Sequence, residues 1–414
     1  MINKKYKAVI ACGGLGTRLK NITKDIPKPL YPVFGKSTLE RCIEELCKNS
    51  IKNILITVGY KSSSFIENIK IINKKYKIKI DIFFEDKPLG ECGALWSIKD
   101  KLIDDFIFIN GDLIFSIDFK RLLFFHKRIS SDVTLVTHTS DHPYDSDLVS
   151  SSNGNLVENI FIKGNQEKNV RNAYLGNSGI FVLNKKILNM IQPPKDYESK
   201  SIFHYIVKNI FNLNRYVYSY NTSEYIKDMG TLNRLKNVEE DLKKNKVYSK
   251  NYKNKQKALF LDRDNTLIKC EIGKYILNKN DIEFIEKNIL NISSLSKEYN
   301  LVCMVTNQPV IAMGKLSLRE LDEINSIIVN FSLSLGLKID VVSFCPHHPH
   351  KGFQKEVSIL KKDCFCRKPN PGLFYEQAFL RNIDLEKSLM IGDSENDKIS
   401  AKNAGCSFLN VDEL

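Results

Sequence analysis

Asp262 and Asp264 stand one residue apart just beyond the apolar run Phe260-Leu261 and lead into Asn265-Thr266. Carboxylates so spaced beyond a strand can face one cleft. Carboxylates so placed suit nucleophilic and general acid/base work on a phosphate ester. Near the start of the chain a different device follows the apolar run 7–11, in Cys12-Gly13-Gly14-Leu15-Gly16-Thr17-Arg18. Gly13, Gly14 and Gly16 let backbone amides approach a triphosphate closely, and Arg18 adds a forked positive charge. Asp25-Ile26-Pro27-Lys28-Pro29 then sets a second cation, Lys28, on a proline-stiffened segment where it can meet an α-phosphate. Two unrelated ways of handling phosphate imply two chemical jobs.

A third constellation is suited to metal. Cys345-Pro346-His347-His348 and Cys364-Phe365-Cys366 offer three thiolates and one imidazole, which close a tetrahedral zinc site and leave no position for water or substrate. Such a site is structural, with His347 as the ligand and His348 and His350 at the surface. The other seven of the ten cysteines are scattered, as small buried hydrophobes are, and form no disulfide-like framework.

The elements that must position these groups alternate along the chain. The stretches 7–13, 53–60, 78–84 and 105–111 read as buried strands, separated by helical stretches such as 37–50 and 93–103. After residue 256 the pattern restarts, with strands at 257–262, 300–306, 340–345 and 388–393 around helices such as 317–336. This alternation predicts an α/β protein of two domains, each a mainly parallel Rossmann-like sheet flanked by helices, with ligands at the carboxyl ends of strands. The boundaries fall at 1–242 and 257–414, joined by a basic linker, 243–256, whose lysines should be solvated. At 414 residues, 43% hydrophobic and 27% charged, the chain can bury two cores. The net charge of +14 is spread along the chain with no recognition motif, which argues against nucleic acid and suits small polyanions. No apolar run reaches the roughly 18–20 residues of a membrane span, and the first residues lack a secretion signal, so the sequence reads as cytoplasmic with no membrane partner.

The segment from Gly13 to Leu30 resembles the signature of the sugar-phosphate nucleotidylyltransferases, the heptose 1-phosphate guanylyltransferases among them, and the likeness runs through residues 1–245. Leu89-Gly90-Glu91-Cys92-Gly93 is similar to that family's nucleotide-contacting segment, Asn110-Gly111-Asp112 to its metal turn, Asn177-Ser178-Gly179 to its sugar-facing strand, and Lys227-Asp228 to its second metal aspartate. The resemblance implies attack by a sugar 1-phosphate oxygen on the α-phosphorus of a nucleoside triphosphate, GTP being favoured. Asp112 and Asp228 would hold Mg²⁺, and Lys163 would touch the sugar phosphate. Ile162 departs from the pattern, standing where the family carries an acid, and Glu91 and Cys92 replace smaller residues.

The run Asp262 to Thr266 resembles the haloacid dehalogenase-like phosphatases. Thr306-Asn307, Arg367-Lys368-Pro369 and Gly392-Asp393 extend the likeness over residues 257–414. By that resemblance Asp262 is the nucleophile and Asp264 the acid/base. Thr306, Asn307, Arg367 and Lys368 bind the phosphoryl group, and Asp393 joins Asp262 and the Asp264 carbonyl around Mg²⁺. The zinc loop is similar to that of the branch holding heptose bisphosphate phosphatases and histidinol-phosphatases. Asn265, where glycine is common, and the stretch from Pro309 depart from it. A phosphatase that yields a sugar 1-phosphate and a transferase that consumes one would catalyse consecutive steps.

Overall fold

The computed structural model describes residues 6–14, 26–59, 63–86, 89–151, 155–163, 173–194, 201–271 and 273–414. Gly16 and Arg18 lie outside the described residues. The strands Tyr6–Ala11, Ile54–Val58, Asp81–Phe84 and Leu102–Asn110 pair in parallel, as the alternation predicts. Ile54–Val58 is buried at all five positions, the burial of a strand covered on both faces. The helix Thr38–Lys48 packs on this sheet. Its start is fixed by Ser37, whose Oγ accepts from Glu40 N at 3.1 Å, and Leu39, Cys42, Ile43 and Leu46 form its apolar stripe.

Beyond Leu102–Asn110 the sheet turns antiparallel, through Leu175–Asn184 to Val133–Thr139 and Leu148–Ser151. Among the described residues it has nine strands. The alternation does not reveal the antiparallel half, since helices still precede some of its strands, as Phe119–Arg128 precedes Val133–Thr139. A separate two-stranded ribbon, Leu113–Ser116 with Tyr225–Asp228, stands at the carboxyl end of the parallel half.

The second unit is a five-stranded parallel sheet in the order Val341–Cys345, Leu301–Asn307, Ala258–Leu261, Leu389–Gly392, Ser407–Asn410. The sheet edge carrying Asp262, Thr306 and Asp393 is therefore one edge, built from the three central strands. The helix Leu318–Ser334 covers it and is started by a Ser317–Glu320 capping box.

The lysines of the segment 243–256 are exposed apart from the half-buried Lys250, yet the segment is packed through its other residues. Lys246–Ser249 is helical, and Val247, Asn251, Tyr252 and Gln256 are buried. Asn251 Nδ2 donates to Ser116 Oγ at 3.0 Å, and Gln256 N donates to Asn382 O at 2.9 Å, so the segment is stitched to both units. Its polar and aromatic residues, not its lysines, decide its packing. The two units also touch directly: Thr139 Oγ1 donates to Ile339 O at 2.8 Å, and Lys338 Nζ to Asp141 Oδ1 at 2.5 Å.

Candidate active sites

In the first unit, the turn after Leu102–Asn110 approaches the end of Tyr6–Ala11. Gly111 N donates to Ala11 O at 2.9 Å, and a Cβ at Gly111 would lie 2.6 Å from both that oxygen and Cys12 Sγ. Only glycine allows this approach, and it sets the turn that carries Asp112 against Ala11 and Cys12. In the adjacent ribbon Asp228 pairs with Leu113, so the two carboxylates come from neighbouring strands. Asp112, Asp228, Lys163, Asn177 and Gly179 all line one cavity of about 440 Å³. Gly13, Gly14, Gly90 and Gly93 lie outside its lining. Gly13 packs against Glu85, whose Oε2 accepts from Leu89 N at 3.0 Å, and Gly90 adopts φ 64° at the head of the helix Gly90–Ile98.

Each carboxylate is matched by a cation. Lys28 Nζ pairs with Asp112, and Arg234 Nη1 donates to both Asp228 oxygens, at 2.9 and 2.8 Å. Gly230 N also donates to Asp228, and its carboxyl is held below the ordinary range by Arg234 against the opposing effect of burial. A Mg²⁺ ion bound by these two carboxylates would have to displace or share the two cations while completing its shell with phosphate oxygens. Where Ile162 removes the expected acid, the cavity supplies others: Asp141, Asp145 and Asp147 line it, with Lys163 paired to Asp145 and His204 Nε2 at 2.9 Å from Asp147. These acids and Arg234 are absent from the sequence reading. The acidic density of 140–147 was a signal for the acids. Glu91 is enclosed, accepts from Ile202 N at 2.8 Å, and has its carboxyl pushed up to about 7, chiefly by burial.

In the second unit, Asp262 leaves its strand with its N–H donated to Ile391 O. Lys368 Nζ reaches three acceptors, Asp262 Oδ1 at 2.6 Å, Asp397 Oδ1 at 2.5 Å and Val305 O at 3.0 Å. Asn307 holds this lysine by its backbone, accepting from Lys368 N and donating to Lys368 O. Burial, then the charges of Asp397 and Asp264, raises the Asp262 carboxyl against the pull of Lys368. Asp262, Asp393 and Asp397 bring donor oxygens within 4.8 Å of one another, a set suited to a hard cation. Asp397 is the member that sequence reading lacks. It sits in the first turn of Glu395–Ala404, in a capping box with Ser394, and close to Gly392, where a Cβ would lie 2.6 Å from Asp397 Cγ.

Asp264 is turned away from Lys368. Buried Arg263 donates to it from Nη2 at 2.9 Å, and Gln308 Nε2 donates to it at 3.1 Å and to Thr306 Oγ1 at 2.9 Å. Asn265 takes φ 54°, a left-handed conformation that asparagine accepts more readily than most residues, so its replacement of glycine leaves the turn intact. The departures from Pro309 onward are packed inward: Val310, Ile311, Ala312 and Met313 are all buried.

The thiols of Cys345, Cys364 and Cys366 lie 3.2–3.4 Å apart, and His347 Nδ1 lies 3.6 Å from Cys345 Sγ and 3.2 Å from Cys366 Sγ. Four donors near the corners of a small tetrahedron, all cysteines unpaired by disulfides, fit a thiophilic ion such as zinc. The Cys366 thiol is pushed down to about 5, first by its hydrogen bond with Cys345. Arg367 beside it donates to His347 O at 3.3 Å.

Carboxylates, cations and glycine-tight turns at the carboxyl ends of parallel strands define an α/β phosphoryl-group-transfer enzyme. Residues 7–245 match the nucleotidyl transferase family, and the chain belongs to it. Residues 365–413 match the HAD-hydrolase-like family. The chain is 35% identical over 183 residues to the D-glycero-alpha-D-manno-heptose 1-phosphate guanylyltransferase of Campylobacter jejuni, covering 44% of this chain and 78% of that protein. It is 32% identical over 204 residues to the mannose-1-phosphate guanylyltransferase catalytic subunit beta of Dictyostelium discoideum, covering 48% of this chain and 55% of that one; the chain thus spans little more than half of that relative's length. A solved structure of a candidate glucose-1-phosphate thymidylyltransferase from Bacillus anthracis shares the fold of the first unit, with a TM-score of 0.51 and 21% identity over 57% of this chain and 94% of that one. Among the described residues no helix is long and apolar enough to cross a membrane.

Proposed function

We propose that the chain is a bifunctional enzyme of nucleotide-sugar synthesis. The second unit hydrolyses the 7-phosphate of D-glycero-D-manno-heptose 1,7-bisphosphate, and the first transfers GMP from GTP to the resulting heptose 1-phosphate with release of pyrophosphate. The observation that carries the reading is the 440 Å³ cavity in which Asp112 and Asp228 stand with Lys163, Asn177 and Gly179. Two relatives named as guanylyltransferases of manno-configured sugar phosphates support the guanine base and the sugar class.

In the transferase, catalysis rests on placement and charge. Lys28 and Arg18 draw the triphosphate, Lys163 meets the sugar phosphate, and the acids at 141–147 accept from sugar hydroxyls. Mg²⁺ held by Asp112 and Asp228 would neutralise charge on the phosphates. In the phosphatase, Asp262 attacks phosphorus, the P–O bond to the sugar breaks, and the departing oxygen takes a proton from Asp264. Asp264 then takes a proton from water, which attacks the aspartyl-phosphate and releases inorganic phosphate and free Asp262. Lys368 and Thr306 face the phosphoryl oxygens; Asp262, Asp393 and the Asp264 carbonyl would hold a Mg²⁺ ion that would balance their charge, and Cys345, His347, Cys364 and Cys366 would hold a zinc ion that would fix the loop presenting Arg367 and Lys368. The name of the Dictyostelium relative favours a second reading, with a hexose in place of the heptose. Mass identification of products from a panel of GTP, ATP, mannose 1-phosphate and heptose phosphates separates the two. GDP-heptose with inorganic phosphate upholds the first, and GDP-mannose alone upholds the second.

A further inference from the structure

A second cavity, of about 200 Å³, lies where the two units and the segment between them meet. It shares His138, Asp141, Ile226 and Lys227 with the transferase cavity, so the two adjoin across one wall. Four lysines line it: Lys227 from the first unit, Lys246 and Lys250 from the connecting segment, and Lys338 from the second unit. Three acids line it with them, Asp141, Glu224 and Asp340, the last accepting from Val302 N at 3.0 Å. Lys338 donates to Asp141 at 2.5 Å, while Lys227 and Lys246 lie 3.1 and 3.5 Å from Asp241. Lys250 has no hydrogen-bond or ion-pair partner for its ammonium among the described residues, and burial lowers its affinity for the proton, with Asp340 and Asp141 of the same cavity opposing. Glu224, in the same wall, spends its carboxylate oxygens on Asp118 N, Tyr252 N and Thr222 Oγ1.

We infer that this interdomain cavity binds a small phosphate anion, with Lys250 and Lys246 as its principal cations. Several ammonium groups converging from three directions, one of them unmatched, call for a ligand with several acceptor oxygens and more than one negative charge. The site stands apart from the nucleophile Asp262 and from the carboxylates Asp112 and Asp228, none of which lines it. An occupant would also compete for Lys338, whose bond to Asp141 ties the second unit to the wall of the transferase cavity. Anion occupancy would thereby reach the pocket of the first reaction.

The test is titration of inorganic phosphate, pyrophosphate and mannose 1-phosphate into the full chain without added Mg²⁺, followed by calorimetry. Wild type, Lys250→Met and Lys246→Gln are compared, with Asp262→Asn as a control for phosphate held at the phosphatase. The expected result is one class of binding weakened at least tenfold by Lys250→Met and preserved in Asp262→Asn. A second measurement needs no variant: lysine acetylation of wild type, mapped by mass spectrometry, should show Lys250 shielded by the anion that binds. Preference for pyrophosphate assigns the transferase product as ligand, and preference for inorganic phosphate assigns the hydrolase product; either upholds the site. Unaltered binding in Lys250→Met, or equal acetylation of Lys250 with and without all three anions, overturns it.

Discussion

The two carboxylate sites solve the problem of holding phosphate in opposite ways. In the transferase cavity the side chains of Asp112 and Asp228 remain 32% and 31% exposed, and each is balanced by its own cation. In the phosphatase site Asp262, Lys368 and Asp397 are 12%, 4% and 0% exposed and share a single ammonium. A reaction without a covalent enzyme intermediate needs room for two large substrates and stays open. The proposed hydrolysis through a phosphorylated Asp262 needs a desolvated nucleophile and encloses it, since burial strengthens every charge interaction around it. The open site should therefore depend on metal and substrate contacts, and the closed one on the integrity of its packing.

Substitution of Asp262, the proposed nucleophile, is the strongest way to break that contrast. Asp262→Asn should lower phosphomonoester hydrolysis by at least about 10³-fold while leaving nucleotidyl transfer intact. Asp112→Asn should lower transfer by about 10²–10³-fold and leave hydrolysis alone. Steady-state assays of each reaction on each variant read this directly, and loss of both activities in either variant would contradict two separate sites.

Next in size is Lys368→Met, which leaves Asp262 and Asp397 buried without their shared cation. Breaking such a pair costs about 3–5 kcal/mol, so denaturant unfolding of this variant should show a clear loss, whereas Lys28→Met, at the half-open site, should shift stability by less than about 1 kcal/mol. Equal losses would erase the distinction between the sites. Removal of metal from Cys345, His347, Cys364 and Cys366 with a chelator should lower the melting temperature of the second unit by roughly 5–10 °C; an unchanged melt would remove the structural role of that cluster.

The smallest expected effect concerns Glu224, between the units. Its enclosed carboxyl is pushed up to about 8, mainly by burial. A raised folded-state value means that the folded chain binds the extra proton. The stability it lends is complete below about pH 4.5, the ordinary carboxyl value, and fades as pH rises through about 8. Glu224→Gln keeps an oxygen for Asp118 N and Tyr252 N, so it should match wild type near pH 5 and exceed it by on the order of 1–3 kcal/mol at pH 9. A pH-independent difference in unfolding free energy would remove this assignment.

Much of both sites was legible because strand ends carry chemistry. The runs closing on Asn110-Gly111-Asp112, Asp262, Thr306 and Asp393 are apolar strands followed at once by polar residues, and the local pattern located each edge. Asp397 escaped because it lies on a helix and meets Lys368 only through the fold. Asp145, Asp147 and Arg234 escaped for the same reason, since they reach the cavity from loops and a helix distant in sequence. In the segment 243–256 the exposed lysines are legible from composition, whereas composition does not reveal that Asn251, Tyr252 and Gln256 find partners in both units. The cluster of Cys345, His347, Cys364 and Cys366 was readable since each pair is separated by a single residue.

One measurement tests the central claim most directly: a time course of phosphorus NMR on wild type, Asp262→Asn and Asp112→Asn, each given heptose 1,7-bisphosphate, GTP and Mg²⁺. Wild type should form inorganic phosphate, pyrophosphate and GDP-heptose. Asp112→Asn should halt with heptose 1-phosphate and inorganic phosphate, and Asp262→Asn should leave the bisphosphate intact yet convert added heptose 1-phosphate. Release of phosphate by Asp262→Asn, or formation of the nucleotide sugar by Asp112→Asn, would contradict the account.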